Sequence, residues 1–148
     1  DATGDRDRYV RYPSSWGKIV ETFDKLLALP NVYIQVHCTV QVLNMCAMSE
    51  LFDWTRSKGI PDKDIYLNIL NHPEMYNIRS LPKELKQLAE QNLQPYLDIP
   101  KVADCIKYMW SEDWYEKRWK EFVDFNTKTD DLQKGNLLDV CPEFTNYV

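Results

Sequence analysis

Along residues 31–42, NVYIQVHCTVQV, apolar and hydrogen-bonding side chains alternate without a break. Val32, Ile34, Val36, Cys38 and Val40 fall on one side. Tyr33, Gln35, His37, Thr39 and Gln41 fall on the other, because successive side chains of a strand point to opposite faces. The pattern predicts a β-strand with one apolar and one polar face. The preceding segment has a different period. In SSWGKIVETFDKLLALP, Trp16, Ile19, Val20, Phe23, Leu26 and Leu27 recur at helical spacing and predict an amphipathic helix, capped by Ser14 or Ser15 and closed by Pro30. A second helix is expected over roughly 45–58, after Asn44, with Met45, Met48, Leu51, Phe52 and Thr55 on one face and Gly59 and Pro61 as its stop. DIYLNIL, residues 64–70, alternates Ile65, Leu67 and Ile69 against Tyr66, Asn68 and Leu70 and predicts the next strand, broken by Asn71, His72 and Pro73.

Helix, strand, helix and strand with short connections predict βα units and a parallel pair of neighbouring strands, with helices on one outer face. Past residue 78 only helices are expected. SLPKELKQLAEQNLQPYL offers Ser80 as N-cap, Pro82 near the first turn and Glu84 as a first-turn acid. IPKVADCIKYMW predicts a short helix beginning at Pro100. SEDWYEKRWKEFVDFNTKTDDL predicts another, capped by Ser111, with Trp114, Trp119, Phe122 and Val123 on one stripe. GNLLDVCPEFTNYV reads as an irregular, apolar-rich tail. The chain therefore divides into βα units over 1–77 and a helical extension over 78–148, packed as one unit. Its opening, DATGD, reads as a strand end entering a loop, so a fragment of a longer chain is expected.

A parallel sheet covered on both faces would be apolar on both. In a barrel or partial barrel one face of each strand packs on outer helices and the other points into a lumen. On that basis Tyr33, Gln35, His37 and Thr39 would line a polar, uncharged cavity with Tyr66 and Asn68. A closed eight-stranded barrel is filled by branched apolar side chains, so the pattern implies an open, partial barrel holding ligand or water. The alternative is a half-sheet whose polar face meets solvent or missing strands.

The bulk numbers narrow the choice. A chain of 148 residues fits one domain and buries about two thirds of its surface on folding. A net charge of −5 argues against nucleic acid or an anionic membrane as partner. No apolar run has the length of a membrane span and no signal peptide opens the chain, so a cytoplasmic protein is expected. With Gly 4, neither a P-loop nor a dinucleotide-binding loop is present. Cys38, Cys46, Cys105 and Cys141 form no C-x-x-C pair and, with His 2, no zinc-ligand spacing; reduced, buried thiols are expected. A small hydrolase using His37 or His72 lacks a nucleophile elbow and paired carboxylates on the inner face.

Several motifs occur in a telling order: Asp1-Ala2, Arg8-Tyr9-Val10-Arg11-Tyr12, Ser14-Ser15-Trp16, and Thr39-Val40 with Asn44. In that order the chain resembles the middle of radical S-adenosylmethionine enzymes with SPASM- or twitch-type C-terminal extensions. SLPKELK and LLDVCPEF resemble their C-terminal portions. The resemblance implies an α/β fold, a fragment of a partial (β/α)₆ barrel of about two parallel strands with outer helices, followed by an all-helical C-terminal extension. It implies that the polar strand face lines the cavity where cofactor and substrate meet. Asp1, Arg8 and Arg11 would then lie on the cofactor or substrate side, and Thr39, Val40 and Asn44 beside the adenosine. An arginine suits the cofactor's carboxylate through a bidentate bond; the same arginines also fit a solvated charged loop.

The family's C-x-x-x-C-x-x-C motif is absent, no auxiliary-cluster cysteines are recognisable, and Cys105 and Cys141 stand alone. The chain alone is thus expected to be inactive and to carry no cofactor. S-adenosylmethionine, a 4Fe-4S cluster, the missing N-terminal barrel half and a peptide or small-molecule substrate would belong to the parent. The competing function is a non-enzymatic interaction module. Its surface would be Trp110, Trp114, Tyr115, Trp119 and Phe122 with Phe144 and Tyr147, although at helical spacing the same rings also fit a core. An exposed strand edge predicts a homo-oligomer in either case.

Overall fold

Two short parallel strands organise the chain. In the computed structural model, which describes residues 1–148, β1 (Val36–Val40) pairs in parallel with β2 (Ile65–Ile69), Val36 opposite Ile65 and Val40 opposite Ile69. Cys38, Val40, Ile65 and Leu67 are buried on one face, whereas His37, Tyr66 and Asn68 are exposed on the other. The alternation survives, but the strand is shorter than 31–42. Residues 32–35 have no ladder partner, because the register places residues 62–64 opposite 33–35, and these form a 3₁₀ turn just before β2.

Ten α-helical segments and strands follow one another: α1 (Gly4–Val10), α2 (Trp16–Leu27), β1, α3 (Val42–Met45), α4 (Met48–Ser57), β2, α5 (Lys83–Leu93), α6 (Val102–Trp110), α7 (Tyr115–Gln133) and α8 (Leu137–Val140). The chain is thus mixed α/β, with a two-stranded parallel sheet among helices. The expected opening loop is instead the helix α1. Its Arg6 and Asp7 are buried, and such groups persist in a core only when paired.

Helix α4 buries the expected stripe of Met48, Leu51, Phe52 and Thr55. It stops as its sequence predicts. Gly59 takes the left-handed conformation at φ 76, its N–H donates to the Arg56 carbonyl, and that of Ile60 donates to the Thr55 carbonyl. These two bonds form a Schellman motif, and buried Ile60 supplies its apolar contact. Asn44 does not precede the helical turn but lies inside it, since α3 begins at Val42.

Two expected caps are elsewhere. Ser80 ends a 3₁₀ turn, its hydroxyl donating to the Glu74 carbonyl, because Pro82 keeps Leu81 extended and delays α5 to Lys83. Ser111 closes α6, donating to the Tyr108 carbonyl, while Asp113 accepts the N–H of Tyr115 at the start of α7. The tail is ordered rather than irregular: α8 and a 3₁₀ turn at Pro142–Phe144 bury Leu137, Cys141 and Phe144.

One cluster of 30 buried apolar side chains runs from Tyr9 to Phe144, so the 1–77 and 78–148 segments share a core. Trp119 stacks on Phe122 with centroids 4.8 Å apart, and Phe144 stands edge-on to both. Those three rings are core, not a docking surface. Trp110 and Trp114 lie nearer solvent and donate their indole N–H groups to Glu90 and Glu112. Three exposed apolar side chains lie together on α2. Trp16 and Phe23 lean on Trp54 at 4.9 and 4.8 Å, but Ile19, Leu26 and Leu27 remain 36%, 40% and 41% exposed. No helix is long and apolar enough to cross a membrane.

Candidate functional site at the C-terminal end of the first strand

The site is assembled from the end of β1, the α3 turn and the segment leading into α1. The Val40 carbonyl accepts from the Leu70 N–H at 2.9 Å on the β2 side. In a parallel pair alternate residues of one strand bond the same neighbour, so the N–H and C=O of Thr39 face the opposite edge. Both are held there. The Thr39 N–H donates to Asp1 Oδ1 at 2.8 Å, and Asn44 Nδ2 donates to the Thr39 carbonyl at 2.8 Å. Asn44 Nδ2 also reaches the Asp1 carbonyl at 2.8 Å, and Asn44 Oδ1 accepts the Gln41 N–H at 2.8 Å. Arg11 closes the group, with Nε and Nη2 at 2.7 and 2.6 Å from Asp1 Oδ2.

Asp1, Arg11, Thr39 and Asn44 are therefore brought together. Asn44 spends its amide on the fold, and it positions the strand end rather than offering a free donor. The Val40 side chain is fully buried on the helix-covered face and its carbonyl is bonded to Leu70 on the β2 side, so Val40 shapes the strand end without offering a group there. Arg8 stands apart from this group. It is exposed on α1 and lines a cleft with Tyr12 and Lys134.

The polar face of the sheet is a connected surface. His37 stacks on Tyr66 at 4.8 Å with an interplanar angle of 11°, and Gln35 Nε2 donates to the Tyr66 hydroxyl at 3.2 Å. The Tyr33 hydroxyl donates to the Asp64 carboxylate, which holds its pKa above the ordinary range. Thr39 and Asn68 lie side by side in the register and complete the face. His37 has no carboxylate or hydroxyl nucleophile as a hydrogen-bond partner. The face is equipped to bind and orient, and it holds no acid–base pair.

The cysteines do not fit an iron–sulfur cluster. No three His, Cys, Asp or Glu side chains gather as a metal site. All four thiols are buried, and burial pushes Cys38 and Cys105 to about 11 and Cys141 to about 12, with Cys46 raised as well. A cluster ligand must be a thiolate, the form that burial disfavours here.

A further constellation is not evident from residue order. Arg6 Nη1 donates to Glu143 Oε1 at 2.7 Å and to the Leu43 carbonyl at 2.8 Å, tying α1, α3 and the tail together. Arg6 stands in the run DRDR, which resembles a solvated charge cluster; only its distance in sequence from Glu143 conceals the pair. Tyr9 makes a second link, its hydroxyl donating to Asp130 at 2.8 Å on α7. Comparison with family models, curated proteins and solved structures gives no match to this chain.

Proposed function

We propose that the chain is the C-terminal, cavity-lining part of a larger S-adenosylmethionine-dependent radical enzyme built on a partial (β/α)₆ barrel, and that it is inactive alone. One observation carries this reading. The two-stranded sheet has helices and core on one face only, while His37, Thr39, Tyr66 and Asn68 form an uncovered polar face on the other. Such a face suits a barrel lumen. The gathering of Asp1, Arg11, Thr39 and Asn44 at the C-terminal end of β1 supports it, since ligands of parallel α/β folds sit outside the carboxyl ends of the strands.

Within this arrangement the Thr39 side chain, and Arg8 from α1, would contact S-adenosylmethionine, with Val40, Arg11, Asp1 and Asn44 shaping the strand end. The bound cofactor would supply the adenosyl group from which the radical is made. The cluster that reduces it would be held by thiolates of another part of the parent. Tyr33, Gln35, His37, Tyr66 and Asn68 would face the substrate, a peptide or small molecule.

The test is the reading frame upstream of Asp1. Further βα units leading back to three cysteines spaced C-x-x-x-C-x-x-C are expected. A start codon a few residues upstream would sink the proposal. In the parent, Arg8→Ala is expected to weaken S-adenosylmethionine binding by about tenfold by calorimetry, the loss of one charge-assisted contact.

A second reading rests on α2. Its exposed Ile19, Leu26 and Leu27 form the apolar strip expected of a self-associating, non-enzymatic module. The burial of Trp119, Phe122 and Phe144 moves that surface away from the aromatic stripe and onto this helix.

A further inference from the structure

Two cavities share Tyr9 and Gln133 in their walls: one of about 240 Å³ between α1 and the end of α7, and one of about 360 Å³ at the end of the sheet. The second alone falls within the roughly 300–1,000 Å³ typical of small-molecule sites. The larger is of mixed character, with Leu43, Leu70, Tyr76 and Phe125 beside Gln41, Thr129 and Gln133. It opens at Leu70, just past β2, and is walled by Phe125, whose ring is 48% exposed and stands edge-on to Tyr76 at 6.0 Å. The smaller is charged, with Arg8 and Lys134 facing the same space as Asp5 and Asp139. Arg8, Lys134 and Asp5 make no ion pair and no side-chain hydrogen bond within the chain, so two cations and a carboxylate are open to a ligand.

Lys134 is a second, independent oddity. It ends α7 in the left-handed conformation at φ 53, although Gly135 follows directly. A side chain there carries a steric cost that glycine escapes. Residues kept in such strained positions cluster at ligand sites. The residue kept here is a lysine lining the charged cavity.

We infer that this cleft binds a zwitterionic α-amino acid with a flat apolar side chain. The carboxylate would pair with Arg8 and Lys134, the ammonium with Asp5 and Asp139, and the side chain would lie against Phe125 and Leu70. The charges on the wall match both ends of such a molecule, whereas an anion alone would leave Asp5 facing it unpaired, beside Asp139, which accepts from Asn136 Nδ2 at 3.3 Å. Every wall belongs to this chain, and Arg8 is the one residue that this cleft shares with the barrel proposal.

The experiment is a titration of the 148-residue chain with L-phenylalanine, followed by amide chemical shifts, beside L-phenylalaninamide and N-acetyl-L-phenylalanine. Saturable shifts around Phe125 and Lys134 are expected with phenylalanine, and each blocked derivative should bind about tenfold more weakly or worse. Lys134→Gly should weaken binding by a similar factor while raising the unfolding midpoint, opposite movements that a merely structural lysine would not give. Phe125→Ala, at a half-exposed position, should weaken binding without unfolding the chain. Absence of saturable shifts, equal binding of either blocked derivative, or unchanged binding in both variants would each overturn the inference. No cofactor enters the titration, so its failure leaves the barrel proposal untouched.

Discussion

Removing the carboxylate of Glu143 is expected to unseat the C-terminal tail. Arg6 holds both oxygens of Glu143, at 2.7 and 3.1 Å, and also reaches the Leu43 carbonyl at 2.8 Å. The two side chains are only 9% and 12% exposed. Glu143→Ala therefore strands a guanidinium in a nearly dry site. Breaking a buried pair by deleting one partner costs roughly 3–5 kcal/mol. Here the Leu43 carbonyl still accepts one bond, which places the expected loss near the lower bound, about 3 kcal/mol. For a chain of this size that lowers the midpoint by about 6–12 °C. Urea unfolding followed by tryptophan fluorescence and circular dichroism measures it, with the slope unchanged if the native fold is kept. The double variant Arg6→Met with Glu143→Leu should recover most of the loss, since a packed apolar pair often replaces a buried ion pair without cost. A loss below about 1 kcal/mol in Glu143→Ala would show a solvated pair of the ordinary surface kind, and the tail would not be docked as described.

Three further outcomes follow from single features. Asn44→Ala deletes hydrogen bonds to Gln41, Thr39 and Asp1 and should cost about 2–3 kcal/mol by the same unfolding measurement; a change under about 0.5 kcal/mol would show that the strand end is not held by it. Gly59→Ala meets open space, so its expected cost, about 1–2 kcal/mol, is purely that of a left-handed backbone, and a neutral result would contradict the Schellman motif. Stability should fall as pH rises above 9.0, the ordinary thiol value, because Cys38 and Cys105 titrate at about 11 in the folded chain. The sign follows from linkage: above 9.0 the unfolded chain releases protons that the folded chain keeps. Tyr76, raised to about 12, acts in the same direction, and a midpoint flat to pH 11 would refute the burial of these groups.

Local chemistry made much of this fold legible. The Met48, Leu51, Phe52 stripe, the Gly59 stop and the alternation in β2 each depend on neighbours within a few residues, and each appears in the structure. What was not legible depended on partners far along the chain. Residues 32–35 alternate like a strand but find no ladder partner, because β2 begins only at Ile65. Arg6 looks solvated until Glu143 folds back over it. Ser80 and Ser111 are good caps in isolation, but Pro82 and Asp113 decide where the helices begin. At the site, Thr39 and Asn44 could be picked from the sequence as neighbours of a strand end; their bonds to Asp1 and Arg11 required the fold.

The exposed stripe of α2 and the open edge of β1 make the same structural demand. A helix that leads into a parallel strand ordinarily covers the groove between that strand and another, because the crossover packs back onto the sheet. Here Trp16 and Phe23 of α2 find Trp54, while Ile19, Leu26 and Leu27 stay partly exposed. On β1, the edge opposite β2 is satisfied at Thr39 by Asp1 and Asn44, and His37 offers further backbone groups there without a partner. A parallel strand laid along that edge would engage the His37 backbone. The proposed barrel supplies such a strand, and a second copy of the chain would substitute for it imperfectly. Ile19→Glu with Leu26→Glu decides between the demands of folding and of association. Both positions are exposed, so stability should change by less than about 0.5 kcal/mol, while any concentration-dependent mass in sedimentation should disappear. A large loss of stability would mean that this face is already covered within the chain, and the case for a missing neighbour would fall with it.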